Sequence, residues 1–151
     1  MPRADFRFAF AKRVRYAECD PQGVVFNSRY LEYLDIGITE YWRAVGMYEE
    51  APIAGGAEFH VARTAIDYRK PALLDELVEI CVRCVRIGTS SMTFAFEMHG
   101  AGGGDDLRAA GDTVSVHVAE VRGASAPVPD WVATLFERYE GRSLRTTRAA
   151  A

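Results

Sequence analysis

The sequence predicts an α+β domain in which a five-stranded, mainly antiparallel sheet packs on one long helix. Three observations lead there. One stretch carries a helical stripe of apolar residues, several shorter stretches alternate apolar and polar positions, and glycine- or proline-bearing connectors separate them. The length of 151 residues suits a single domain whose core needs neither disulfide nor metal. Hydrophobic residues make up 49% and charged residues 26%, ordinary for a globular protein. No apolar run approaches the roughly 20 residues that cross a bilayer, so no membrane association is expected.

The first strand is expected over residues 5–16, where Phe6, Phe8 and Phe10 alternate with other residues. The absence of a continuous apolar run there argues against a signal peptide, and the expected location is the cytoplasm. A helix follows over residues 28–45. Tyr30, Leu34, Ile38, Tyr41 and Val45 recur at spacings of three and four, and Gly46 can end it. Gly37 in its middle costs about 1 kcal/mol relative to alanine, which points to a close approach by the sheet. After the breaker stretch "EEAPIAGGAE", strands are expected over residues 58–69, 76–87, 91–99 and 107–121, read as an antiparallel meander. Val78, Ile80, Val82 and Cys84 share one side of the second of these, and Met92, Phe94, Phe96 and Met98 one side of the third. The connectors are "RKPALLD", "GTS" and the glycine-rich "GAGGGDD". A closing helix over residues 129–139 carries Trp131, Leu135 and Phe136. The domain is thus placed at residues 1–140, and the basic, alanine-rich 141–151 is expected to be a flexible tail.

A net charge of -3 argues against a general nucleic-acid binder. The three cysteines, Cys19, Cys81 and Cys84, are too few for a disulfide framework and fit a reducing compartment. Cys81 and Cys84 have redox-motif spacing, but residues three apart on a strand point to opposite faces, which argues against a shared thiol site.

The stretch "YAECDPQGVVFNSRYLEYLD", residues 16–35, puts a carboxylate into a turn just ahead of the long helix. Pro21 and Gly23 suffice for the turn, and Asp20 could serve only to initiate it by accepting the Gln22 or Gly23 N–H. Alternatively Asp20 does chemistry. The helix amino end that follows carries unpaired N–H groups and about half a positive charge, a natural place for a developing oxyanion. Asn27 fits an ordinary N-cap as well.

The order of elements and this loop together resemble the hotdog fold, in particular the 4-hydroxybenzoyl-CoA thioesterase group of acyl-CoA thioesterases. The resemblance spans residues 7–121 and is strongest in "RVRYAECDPQGVVFNSRYLEYLD": an aromatic residue, an Asp a few positions on, a glycine, a short apolar run and a Tyr-bearing helix. "ARTAIDYRKPALLDELVEI" is similar to the family's second strand, basic-proline turn and third strand. The resemblance implies that Asp20 is nucleophile or general base in thioester hydrolysis and that the Asn27 backbone N–H polarises the carbonyl. It implies further that Gly23 lets the backbone approach the ligand, and that no metal or organic cofactor is needed, coenzyme A being part of the substrate. Many relatives have His where this chain has Asn27, which leaves the substrate class open. It also implies an obligate homodimer with the site between subunits, often paired again into a homotetramer.

Coenzyme A carries phosphates, so basic side chains are expected at the pocket mouth. Arg69, Lys70 and Arg86 qualify by position, and Arg63 less so. In the turn "IGTSSM", Ser90 and Ser91 stand where some relatives have basic residues, so contacts there would use hydroxyls and backbone N–H. Phe26 and Tyr30, with Tyr33 and Trp42, suggest an aromatic-lined space, although such a stripe is also what a plain core looks like. The acyl group and the carrier, coenzyme A or an acyl-carrier protein, stay open.

Other chemistries fit less well. Asp112 and His117 have the spacing of hotdog enoyl-CoA hydratases, but they sit inside an alternating strand and face opposite ways. His60 and His99 are strand residues without metal-ligand spacing. A nucleophile elbow of the GxSxG kind, which a serine hydrolase of that type requires, does not occur. The main alternative is a non-catalytic hotdog protein that binds an acyl-CoA or acyl-carrier-protein thioester.

Overall fold

The computed structural model describes residues 2–50 and 57–146, without the side chain of Glu50. Most of the breaker stretch and the tail beyond residue 146 lie outside the described residues. The elements are β1 (Phe8–Arg13), α1 (Arg29–Val45), α2 (Met47–Glu50), β2 (Glu58–Tyr68), β3 (Leu77–Ile87), β4 (Ser91–Gly100), β5 (Leu107–Val118) and α3 (Asp130–Glu140), with 3₁₀ turns at Arg3–Asp5 and Tyr16–Glu18. The strands form one antiparallel sheet in the order β1-β3-β4-β5-β2.

Strands and long helix agree with the sequence, but the four-strand meander does not. β3, β4 and β5 are neighbours in chain order, whereas β2 pairs with β5 at the sheet edge. The connection through "RKPALLD" is therefore a crossover and not a hairpin. Alternation identifies which segments are strands; it does not say which strands pair. β1 takes the place beside β3, with Phe8 opposite Val82 and Phe10 opposite Ile80. β1 is also shorter than expected, because residues 3–5 and 16–18 turn instead of extending.

Contacts group the chain into two compact units. In the first, which holds residues up to 41, 66–83 and 96–111, α1 buries Tyr30, Tyr33, Leu34 and Tyr41. The Phe8 and Tyr41 rings meet at 5.4 Å. Gly37 faces β3, and a Cβ there would run into the Ile80 Cγ2 methyl, with Ile80 Cβ at 3.3 Å and Val82 Cγ2 at 3.4 Å. The glycine is what lets helix and strand come this close.

In the second unit, Trp42 packs edge-on against Phe59 and Phe136. α3 buries Val132, Ala133, Leu135 and Phe136, while Trp131 is left 37% exposed. Gly141 ends α3 in the left-handed region at φ 70°, its N–H bonding back to the Glu137 carbonyl. Of the stretch expected to be a flexible tail, residues 142–146 are described and make contacts. Leu144 is buried, Ile87 N–H donates to Leu144 O, Thr146 N–H donates to Ile87 O, and Glu137 accepts the Leu144 N–H and the Arg145 guanidinium. One apolar residue in a basic stretch gave too weak a signal for this docking.

Replacing Gly37 by alanine gains about 1 kcal/mol of helix propensity but overpacks the contact with Ile80, which costs about 1–3 kcal/mol. Urea unfolding is expected to show net destabilisation, and the loss should vanish when Ile80 is also alanine. A Gly37→Ala protein more stable than the parent would show that helix and strand can separate at no cost.

Candidate functional site

The loop ahead of α1 folds around Asp20. Asp20 N–H donates to Val24 O at 2.9 Å and Gly23 N–H to Asp20 O at 3.0 Å, with Gly23 at φ 77°. The Gln22 N–H donates to Asp20 Oδ1 at 2.8 Å, the turn contact that the residue types anticipate. Oδ2 has no partner among the described residues, so the half-buried carboxylate keeps an oxygen free. The next residues are stitched to the β2–β3 crossover: Val24 bridges Leu73, Val25 N–H donates to Ala72 O, and Leu74 N–H donates to Gly23 O.

α1 starts directly after this. Arg29, Tyr30 and Leu31 N–H donate to the carbonyls of Phe26, Asn27 and Ser28 at 2.9, 3.3 and 3.3 Å. Among the described residues the N–H groups of Asn27 and Ser28 have no partner. These are the orphan donors of a helix start, with the positive end of the helix dipole behind them.

Asp20, Asn27, Phe26, Tyr30, Arg69 and Lys70, all singled out from the sequence, line one cavity of about 360 Å³. Tyr68 and Pro71 complete the wall on the crossover side. Gly23 lines a second cavity of about 450 Å³, which Asp20 also borders. Arg86, Ser90 and Ser91 line neither. Ser90 and Ser91 carbonyls accept the His117 and Gly88 N–H groups at the β3–β4 turn.

The two basic residues of the cavity are not equivalent. Lys70 Nζ pairs with Asp106 Oδ1 at 2.9 Å. The Arg69 side chain is exposed and has no partner among the described residues. Tyr30 is buried, and its hydroxyl accepts the Ala72 N–H at 3.1 Å. Burial pushes its pKa up.

Two supporting clusters escaped the sequence reading. The nearly buried Arg108 on β5 donates to Pro71 O at 3.0 Å, to Glu76 Oε2 at 2.7 Å and Oε1, and to Asp106 Oδ2 at 2.8 Å. Its guanidinium holds Glu76, and with Lys70 also Asp106, below the usual carboxylate range. On the other side of the loop, Glu18 Oε1 accepts from Tyr33 OH at 2.7 Å, Arg15 N–H at 2.7 Å and Lys12 Nζ at 3.0 Å. Burial opposes the charge on Glu18, yet these donors together keep its pKa low. Arg108 looked like any polar position of an alternating strand. Glu18 had the signal of a carboxylate three residues after Arg15, a spacing that lets a side chain reach back to a backbone N–H.

The remaining candidates have structural partners. His99 Nδ1 accepts the Asp106 N–H at 3.0 Å, so its Nε2–H is left to donate to Glu97 Oε1 at 2.9 Å. Asp112 pairs with Arg63 at 2.6 Å, and His117 Nδ1 meets Ala126 O at 3.2 Å, so the hydratase-like pair is engaged elsewhere. The Cys81 and Cys84 thiols are buried, and burial pushes each up to about 12.

The family model described as the thioesterase-like superfamily matches residues 14–136. The chain belongs to the thioesterase-like superfamily. The acyl-CoA thioesterase YbgC of Haemophilus influenzae is 35% identical over 77 residues, 50% of this chain and 57% of that protein. The acyl-CoA thioester hydrolase YbgC of Escherichia coli O6:H1 is 29% identical over 87 residues, 58% of this chain and 65% of that one. The matched stretches span less than two thirds of both relatives. Among solved structures, a thioesterase of Thermus thermophilus complexed with coenzyme A and Zn superposes with a TM-score of 0.78 at 29% identity, covering 93% of this chain and 98% of that one. The PA5185 protein of Pseudomonas aeruginosa reaches 0.80 at 21% identity over 96% and 98% of the two chains, a likeness of fold. In this superfamily member, no group of three or more His, Cys, Asp or Glu among the described residues is placed to hold a metal. No helix among them is long and apolar enough to cross a membrane.

The Arg108 cluster makes stability depend on acid pH. Glu76 and Asp106 have ordinary values of 4.5 and 3.8 and are lowered in the fold. Their contribution is therefore complete above those values and is lost as pH falls through the lowered ones, because the unfolded chain takes up protons first. Arg108→Met is expected to reduce unfolding free energy by about 2 kcal/mol at pH 7 and to flatten the fall in stability below about pH 4.5. Denaturant unfolding of both proteins from pH 7 to pH 3 checks it; parallel curves would rule the cluster out as the source of the acid dependence.

Proposed function

We propose that this protein is an acyl-CoA thioesterase and that the cavity bordered by Asp20 and the start of α1 is its active site. One observation carries the reading: Asp20, with a carboxylate oxygen that has no partner, and Asn27, with an unpaired N–H at the helix start, border the same space. The names of the YbgC relatives and of the coenzyme A-bound Thermus thermophilus thioesterase support it. The thioester carbonyl oxygen sits against the Asn27 N–H, where the helix dipole favours the negative charge that develops during addition. Gly23 keeps the approach to Asp20 open, and Phe26 and Tyr30 flank the acyl group. Arg69 meets a phosphate of coenzyme A.

Two routes use these groups. As nucleophile, Asp20 attacks the carbonyl carbon, the C–S bond breaks, coenzyme A leaves as thiolate and is protonated by water, and a water then hydrolyses the acyl-aspartyl anhydride. As general base, Asp20 takes a proton from the attacking water while the C–S bond breaks, and the proton passes to the leaving sulfur. Either route yields the free acid and coenzyme A.

The fold functions as one domain, and β2 is the edge at which a second copy joins. This 11-residue strand ends the sheet, and Val61 on it is 66% exposed. Such an edge invites pairing with an identical strand, giving a homodimer able to pair again. Three free cysteines agree with a cytoplasmic setting.

Thiol release from short, medium, long and aromatic acyl-CoAs tests the assignment. Asp20→Asn is expected to lower turnover by about 10²-fold or more while acyl-CoA still binds. Equal turnover in both proteins would reduce Asp20 to a turn residue. Binding without turnover in either would make the protein a non-catalytic acyl-CoA carrier.

A further inference from the structure

Tyr68, the last residue of β2, has the attributes of a reacting-site donor, and nothing in the sequence drew attention to it. Its hydroxyl donates to the Asn27 carbonyl at 3.0 Å, and it lines the cavity that Asp20 and Asn27 border. Its ring stands edge-on to Tyr30 at 5.2 Å and 83°. Tyr30 is in turn fixed by the Ala72 N–H on its hydroxyl. The Tyr68 ring is thus held on one side by a buried neighbour while the residue stays 50% exposed.

The bond that Tyr68 makes can be given up without loss elsewhere. The Asn27 carbonyl already accepts the Tyr30 N–H at 3.3 Å, one of the bonds that open the helix. If the phenol turns away, no carbonyl is orphaned, and the O–H rotates about its own C–O bond without moving the ring. A neutral carbonyl is also the weaker competitor, because a hydrogen bond to a developing oxyanion is roughly twice as strong as one between neutral groups. A rigid donor with a replaceable partner at the helix start suits transition-state stabilisation, in which the contact strengthens as charge develops.

We infer that the Tyr68 hydroxyl leaves the Asn27 carbonyl for the carbonyl oxygen of a bound thioester and acts beside the helix N–H groups as a second oxyanion donor. The inference rests on the cavity being an acyl-thioester site, as proposed above. It assigns Tyr68 a role in the chemical step and not in ground-state affinity. Tyr68→Phe keeps the ring and its contact with Tyr30, so the fold is retained.

Two measurements test this. In steady-state assays with the best substrate among acetyl-, octanoyl- and benzoyl-CoA, Tyr68→Phe is expected to lower kcat by about 10²-fold with little change in KM. In the Asp20→Asn background, infrared difference spectra of the same acyl-CoAs labelled with ¹³C at the thioester carbonyl are expected to show the C=O band shifted to lower frequency. Replacing Tyr68 by 3-fluorotyrosine, a more acidic phenol, should shift the band further, and Tyr68→Phe should move it back. A residue that merely props up the helix start would leave the band insensitive to phenol acidity. Unchanged kcat and an unchanged band overturn the role of Tyr68 while the thioesterase reading survives. If the unaltered protein neither hydrolyses nor binds any of the three, the thioesterase reading fails and the inference falls with it.

Discussion

The site depends on one nearly buried guanidinium. Arg108 holds Glu76, Asp106 and the Pro71 carbonyl at once, and so fixes the crossover between β2 and β3 against β5. That crossover is the template for the Asp20 loop: Ala72, Leu73 and Leu74 take up Val25, Val24 and Gly23 through backbone pairing. The position of the candidate carboxylate is therefore inherited from β5 by way of Arg108, Glu76 and a run of backbone bonds. A planar donor with several N–H groups can bind two carboxylates and a carbonyl in fixed directions, which a lysine at the same place could not do. Removing it would leave Glu76 without its guanidinium partner and Asp106 with Lys70 alone, and the crossover would lose its anchor.

Glu18 plays the corresponding part on the other side of the loop. One of its oxygens receives three donors, from β1, from Arg15 just ahead of the 3₁₀ turn and from α1, while its backbone carbonyl accepts the Phe26 N–H. Phe26 lies just ahead of the helix start. The loop is thus clamped before and after Asp20, and the clamp ties the carboxylate to the same helix whose amino end faces the cavity. Burial would raise the energy of a charged Glu18, but the donors more than compensate, so the anion is the stable form and the clamp is electrostatic as well as geometric.

The sequence revealed local order well and pairing poorly. The stripe on α1, the alternation in β3 and β4, and the role of Gly37 followed from period and residue size, because those depend on neighbours within a few positions. The placement of β2 beside β5 did not, since a proline-bearing connector reads the same whether it makes a hairpin or a crossover. The same limit applies to the site. Asp20, Gly23 and Asn27 stand together in one loop, and Arg69 and Lys70 came from the basic-proline stretch. Asp106 and Arg108 are two residues apart, but Glu76 reaches them only through the fold, so no spacing in the chain joins it to them. The distinction between Arg69 and Lys70 depends on Asp106 in the same way. Tyr68 was hidden for another reason: on an edge strand an aromatic residue is what β-propensity already favours.

Satisfied groups and unsatisfied ones are not scattered evenly around the cavity. Interior polar groups of a folded protein nearly always find partners, and here Glu97, His99, Thr113 and the terminal nitrogens of Arg108 do, although Arg108 Nε does not. Around Asp20 the polar surroundings are just as dense, yet among the described residues an Asp20 oxygen, the Asn27 and Ser28 N–H groups and the Arg69 guanidinium remain without protein partners. They are an acceptor, a pair of donors and a cation, the complement of a nucleophile's target, a carbonyl oxygen and a phosphate. A turn that served only to reverse the chain would need the Gln22 and Gly23 contacts and nothing more. The clamps by Arg108 and Glu18 restrain a loop whose own hydrogen bonds would already close it, and the restraint is explained if what must be held is the position of the free groups relative to a ligand.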